Sequence, residues 1–123
     1  MRAIILAAGR GSRLKSMTKE NPKCLLMVKN KTLLDRIILN LKKNKISKIS
    51  IVTGYKNKLI KKKNIKFFHN SLWSKTNMLY SLFQADEWLT RHTCLVTYSD
   101  IIYNHHAIKL LKSDKNSMLR SKL

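Results

Sequence analysis

Acidic side chains are scarce: 6 Asp and Glu stand against 26 Lys and Arg, a formal charge of +20 in 123 residues. That imbalance sets the chain apart from evenly charged soluble enzymes and favours anionic partners such as nucleotides, nucleic acid or anionic lipid. Much of the excess is lysine interspersed with Asn and Ile, a bias that would coat any fold with solvated lysines. Charge therefore narrows the partner class without choosing within it. Cysteine is also sparse. Cys24 and Cys94 have no C-x-x-C or Cys/His spacing, which excludes a zinc site and a disulfide framework and suits a reducing cytosol. The four histidines, His69, His92, His105 and His106, form no ligand set. No apolar run reaches the ~20 residues that cross a bilayer. The opening Met1 to Ala8 resembles a short signal peptide only until Gly-Arg-Gly-Ser-Arg interrupts it, so it reads as a strand of a cytoplasmic protein with no membrane insertion.

What is present suits one compact domain. The chain is 44% hydrophobic, enough for a single core, and it contains no internal repeat and no linker. Residues 2–7 read as a strand whose run from Ala3 onward is continuously apolar, as in one covered on both faces of a parallel sheet. Gly9 to Lys31 follows neither period and holds the single proline, Pro22, which marks a long loop. From Thr32 to Ile46, Leu34, Ile37, Ile38 and Leu41 recur at helical spacing, and Thr32-x-x-Asp35 offers a capping box. Further strands are expected at 49–54, 65–69 and 93–98, with 55–63 a short helix or solvated loop. A helix capped by Thr76 and running to about Leu89 is expected to place Leu79, Leu82 and Phe83 on one face. Strand and helix alternate, which predicts right-handed crossovers and a mostly parallel sheet with helices on both faces. Residues 1–112 are expected to form the domain and 113–123 a basic tail.

Ligands of such sheets bind beyond the carboxyl ends of the strands. Those ends carry Gly9-x-Gly11, Gly54 and Asp100. Glycines let the backbone approach a phosphate and turn N–H groups toward it, and Arg10, Arg13 and Lys23 supply cations nearby in sequence. Two familiar phosphate cradles are absent. A dinucleotide fingerprint needs a third glycine where Leu14 stands, and Gly-Lys-Ser/Thr never occurs. Alone, G-x-G after a strand also fits a tight turn made for steric reasons.

The longer run LAAGRGSRL, followed by Thr18 and then Asn21-Pro22-Lys23-Cys24-Leu25, resembles the signature of the nucleotidyltransferases that make nucleotide-sugars and CDP-alcohols. Within that family, NSLWSKTNMLYSL at 70–82 and Tyr98-Ser99-Asp100-Ile101 are similar to the phosphocholine cytidylyltransferase-like branch. The resemblance covers residues 1 to about 104, the first half or so of a usual member. It implies a Rossmann-like three-layer α/β/α fold of the nucleotidyltransferase or GT-A type, shortened here.

The resemblance also implies an activity: transfer of a cytidylyl group from CTP to a phosphorylated small molecule, with Mg²⁺ present and pyrophosphate released. Leu6, Ala7, Ala8, Gly9, Gly11 and Ser12 would hold the nucleotide, and Arg13 would grip the β- and γ-phosphates. Lys23 would neutralise the α-phosphate and the departing pyrophosphate. Thr76 and Asn77 would face the base, with Asn77 reading cytosine, and Asp100 would hold the metal. Trp73, Tyr80, Tyr98 and Tyr103 are the aromatic faces available to a quaternary ammonium. A second metal carboxylate, usual on a later strand, is missing, since only Asp114 follows Asp100.

Plainer roles exist for the same residues. Asp100 can end a strand, Asn77 can be a first-turn residue beside a Thr76 cap, and Lys23 can be a surface lysine. Other readings of the whole are a sugar-1-phosphate nucleotidyltransferase using UTP or another triphosphate, an inactive remnant, or a basic module holding nucleic acid through Lys42-Lys43 and Lys61-Lys62-Lys63. No helix-turn-helix, zinc-finger or aromatic RNA-binding signature supports the last.

Overall fold

The computed structural model describes residues 1–10 and 19–99. The first strand, β1 (Arg2–Ala7), is followed after a loop by a short hairpin of β2 (Met27–Val28) and β3 (Lys31–Thr32). The helix α1 (Leu33–Lys43) leads to β4 (Ile49–Thr53), and a further connection leads to β5 (Lys66–His69). Two short helices, α2 (Met78–Phe83) and α3 (Asp86–Leu89), precede β6 (Cys94–Tyr98). The main sheet has the order β5-β4-β1-β6, and every pairing in it is parallel. This is the α/β architecture that the alternating pattern predicts.

Two apolar layers cover the sheet, which explains the apolar run from Ala3 to Ala7 of β1 and the burial of every residue of β4, Ser50 and Thr53 included. On one face Ala3, Ile5, Ile49, Ile51 and Leu95 pack with Leu34, Ile37, Ile38 and Leu41 of α1. On the other Ile4, Leu6, Val52 and Val96 pack with Leu82, Ala85 and Trp88. Each fully buried Leu or Ile contributes about 1.5–3 kcal/mol, so these layers, and not the lysine-rich surface, hold the domain together.

The α1 helix starts where expected, with the Thr32 hydroxyl accepting from the Asp35 N–H at 3.0 Å. The Asp35 carboxylate pairs with Lys62, and that hydrogen bond holds its carboxyl below the usual carboxylate range. The helix ends earlier than Ile46. Lys45 takes a left-handed φ of 63° while Ile46 N–H bonds back to Leu41 at 3.0 Å, so Ile46 closes the helix from outside and enters the core.

The second helical stretch departs further from expectation. Asn77, not Thr76, is its cap, with its Oδ1 accepting from Tyr80 N–H at 3.0 Å. The stretch also breaks in two at Gln84 and Ala85. Leu82, Ala85 and Trp88 face the sheet, with Met78 and Leu89 packed partly against the same layer. At the break the backbone tightens, with Gln84, Ala85 and Trp88 N–H groups bonding to Ser81, Leu82 and Ala85. Leu79 and Phe83 consequently lie outside the core, 45% and 56% exposed, whereas Leu82 is buried as expected. No helix among the described residues is long and apolar enough to cross a membrane.

One glycine is required by close packing. A Cβ on Gly54 would stand 2.5 Å from the Ala8 carbonyl oxygen and 2.6 Å from the Trp73 Cβ. Gly54→Ala is therefore expected to destabilise the domain by about 1–3 kcal/mol, the usual cost of overpacking. A urea titration followed by tryptophan fluorescence checks this, and an unchanged midpoint would show that the two loops part freely.

Candidate functional site

Chain order defines the place where a ligand can enter. From β1 the chain crosses to β4 and β5 on one side, then returns to β6 on the other, so connections diverge around the carboxyl end of β1. Two backbone bonds hold that exit from both sides. Ser99 N–H donates to Leu6 at 3.1 Å from the end of β6, and Tyr55 N–H donates to Ala8 at 2.8 Å from beyond β4. Leu6, Ala7 and Ala8 are buried, and Gly9 and Arg10 emerge to solvent. Gly9 differs from Gly54: no described atom lies within 4 Å of where its Cβ would stand.

Tyr55 connects Arg10 with Lys19, the described residues on either side of 11–18. Its ring lies under the Arg10 guanidinium at 5.5 Å, and its hydroxyl donates to the Lys19 carbonyl at 2.8 Å. The ring also meets Trp73 edge-on at 5.2 Å, and the Lys56 ammonium approaches it at 5.9 Å. One buried phenol thus ties Arg10, Lys19 and the 70–77 loop to the residue after Gly54.

Lys23 opens a single 3₁₀ turn, Lys23–Leu25, closed by bonds from Leu25 N–H to Pro22 and from Leu26 N–H to Lys23. Buried Pro22 and Cys24 flank it, and Cys24 sits in the α1 side of the core. The lysine stem is thereby anchored at both neighbours while the residue itself is only half-buried. Burial pushes the Cys24 thiol up to about 12, so the neutral form is the native one.

The loop between β5 and α2 forms the third wall. Asn70 N–H donates to Thr53 at 2.8 Å, placing the loop at the end of β4, and Trp73 lies over Gly54. Thr76 is half-buried and hydrogen-bonded to Asn70, and Asn77 is exposed at the start of α2. Of the aromatic candidates, Trp73 packs partly into the core and Tyr80 is exposed on α2.

The structure thus brings Leu6, Ala7, Ala8 and Gly9 together with the base of the 70–77 loop through Gly54 and Trp73. Gly11, Ser12, Arg13, Asp100, Tyr103 and the tail 113–123 lie outside the described residues. Among those described, no three His, Cys, Asp or Glu side chains gather into a metal site. Sequence reasoning missed Tyr55 and Asn70 as parts of this corner. Asn70 lay within a motif already singled out, but a lone tyrosine after a glycine carries no spacing signal.

Two outcomes follow from this geometry. Tyr55→Phe keeps the ring contacts and loses the bond to Lys19, so stability should fall by about 0.5–1.5 kcal/mol. Amides around Lys19 should exchange faster while those of β1 stay protected. Cys24 should resist alkylation at pH 8 in native protein and react fully in denaturant. Its raised value also has a sign for stability: the contribution is complete below the unfolded value near 9.0 and is lost as pH rises toward about 12. Rapid native labelling of Cys24 at pH 8 would contradict the buried anchor.

Comparison with known proteins agrees with this architecture. Residues 3–116 match the MobA-like NTP transferase domain. The chain is 38% identical, over 128 aligned positions, to the CTP:phosphoglutamine cytidylyltransferase of Campylobacter jejuni, covering 96% of this chain and 51% of that protein. It is 39% identical over 93 positions to the choline-phosphate cytidylyltransferase of Streptococcus pneumoniae, covering 72% and 41%. The solved CTP:phosphocholine cytidylyltransferase of S. pneumoniae superposes with a TM-score of 0.71 at 30% identity, over 85% of this chain and 49% of that one. The chain spans about half the length of the curated relatives it matches. Its parallel sheet, glycine-bearing strand exit and matched span of residues together show that the chain belongs to the MobA-like NTP transferase family.

Proposed function

We propose that this chain is the nucleotide-binding part of a cytidylyltransferase. A phosphorylated small alcohol or amino compound attacks the α-phosphorus of CTP, forming a CDP-linked product and releasing pyrophosphate. The observation that carries this reading is the convergence of the Leu6–Gly9 strand exit and the 70–77 loop at the carboxyl end of the sheet, in a chain similar to cytidylyltransferases over 96% and 72% of its length.

Displacement at phosphorus asks little covalent work of a protein, so cations and N–H groups aimed at the transferring and leaving oxygens supply most of the rate. Backbone N–H groups of Ala8, Gly9 and Gly11, with Ser12, would line the triphosphate. Arg13 would hold the β- and γ-phosphates, and Lys23 would neutralise charge on the α-phosphate and the departing pyrophosphate. The acceptor phosphate is already ionised at neutral pH and needs no base. The two free, buried cysteines suit a reducing cytosol.

Mg²⁺ would be held here as an ion completed by the substrate. It is usually held by one or two carboxylates plus phosphate oxygens and water. Asp100 directly follows Ser99, which is bonded to the end of β1, and would supply one carboxylate. When bound, the ion would offset charge on the phosphate oxygens.

The cap at Asn77 supports a preference for CTP over UTP. Asn77 accepts from Tyr80 through Oδ1, and its NH₂, a donor only, would then be the group that meets a base. Cytosine and uracil share the O2 acceptor and differ at position 3, an acceptor in cytosine and an N–H in uracil. A donor aimed at position 3 would pair with cytosine and oppose uracil.

The test is pyrophosphate release from CTP and Mg²⁺ with a panel of phosphorylated acceptors including phosphocholine. Release is expected with CTP, and Lys23→Ala should lower it by roughly a hundredfold. Equal or faster release with UTP would overturn the base assignment. Absence of CTP binding to the folded chain would overturn the reading as a whole.

A further inference from the structure

Asn70 is 1% exposed, a polar side chain among the most deeply buried in the domain. A buried amide is costly unless its groups are paired, and here both ends are used. Oδ1 accepts from Leu72 N–H at 2.9 Å. Nδ2 donates to the Thr76 hydroxyl at 3.0 Å and to the Ser81 hydroxyl at 2.9 Å. The Thr76 hydroxyl then gives its single proton to the Leu72 carbonyl at 2.7 Å. The bonds close a ring through Asn70, Leu72 and Thr76, and the Ser81 bond ties that ring to α2. Asn77, the next residue, begins the helix from a position the ring determines.

We propose that Asn70 is the positioning residue for nucleobase choice, acting through Thr76 to hold the amide of Asn77 where it meets the base. The proposal rests on the cytidylyltransferase reading. Its direction of donation makes it testable. In Asn70→Asp the volume and the acceptor for Leu72 are kept, but the carboxylate faces a Thr76 oxygen whose proton is already given to Leu72. Ser81 can turn its hydroxyl to donate to the carboxylate; Thr76 can do so only by abandoning Leu72. The substitution therefore opens the Thr76 branch and spares the other. Thr76→Val opens the same branch without touching Asn70, and Thr76→Ser keeps it closed.

Calorimetric titration of the full chain with CTP, UTP and inorganic tripolyphosphate tests this. In Asn70→Asp and in Thr76→Val the preference for CTP over UTP should fall about tenfold, the scale of one well-placed hydrogen bond. Tripolyphosphate affinity should stay unchanged, and Thr76→Ser should retain the CTP preference. A merely structural role predicts parallel losses for all three ligands, and that result overturns the proposal. So does an unchanged CTP preference in either folded variant, and Thr76→Val carries the test if Asn70→Asp does not fold. Wild-type chain that binds tripolyphosphate without preferring CTP overturns this proposal together with the base assignment beneath it, whereas a wild-type preference that survives both substitutions overturns the role of Asn70 alone.

Discussion

The close approach of two backbone segments, Ala8 after β1 and Gly54 after β4, is the constraint on which the candidate site depends. Their strands are paired in parallel through Ala7 and Thr53, and the bond from Tyr55 to Ala8 prolongs the pairing just past the sheet. The absence of a side chain at 54 lets Trp73 lie directly on that crossing, which brings the 70–77 loop to the mouth of β1. Tyr55 then reaches from the same point to Arg10 and Lys19. A small adjustment at this crossing would therefore be felt by the Leu6–Arg10 segment and the 70–77 loop together.

Much of the architecture was legible because burial on both faces of the sheet writes itself into the chain. The apolar run from Ala3 to Ala7 and the β-branched stretch Ile49–Thr53 read as strands, and α1 reads as a stripe of Leu34, Ile37, Ile38 and Leu41 with Thr32 before it. The region 78–89 was less legible for a physical reason. Its core-packed residues, Met78, Leu82, Ala85, Trp88 and Leu89, form a stripe offset from the one through Leu79, Leu82 and Phe83, and the chain also tightens between two short helical pieces. Leu79 and Phe83 match an α-helical stripe drawn through Leu82, yet the broken axis leaves both outside the core.

The candidate site divides in the same way. Residues whose value lies in backbone, such as Ala8 and Gly9, stand out because small side chains after an apolar strand are unusual. Asn77 was legible as a helix-start residue, but its exchange of roles with Thr76 was not, because Thr76 is drawn into a ring with Asn70 that only tertiary contact reveals. Tyr55 and Asn70 act through single hydrogen bonds to distant segments, and such pairings leave no periodic trace. The high positive charge contributes little to this picture: most lysines lie on the surface, and the elements that converge do so through apolar packing and main-chain bonds.

The central claim is that the corner at the carboxyl end of β1 receives the nucleotide. Chemical-shift mapping of backbone amides during a CTP titration tests it most directly. The account predicts saturable shifts at Leu6 to Arg10, at Lys23 and Tyr55, and across Trp73 to Asn77, with little change along α1. Shifts confined to the lysine clusters at Lys42-Lys43 and Lys61-Lys62-Lys63, weakening steeply with added salt, would contradict it and assign the anion to the charged surface instead.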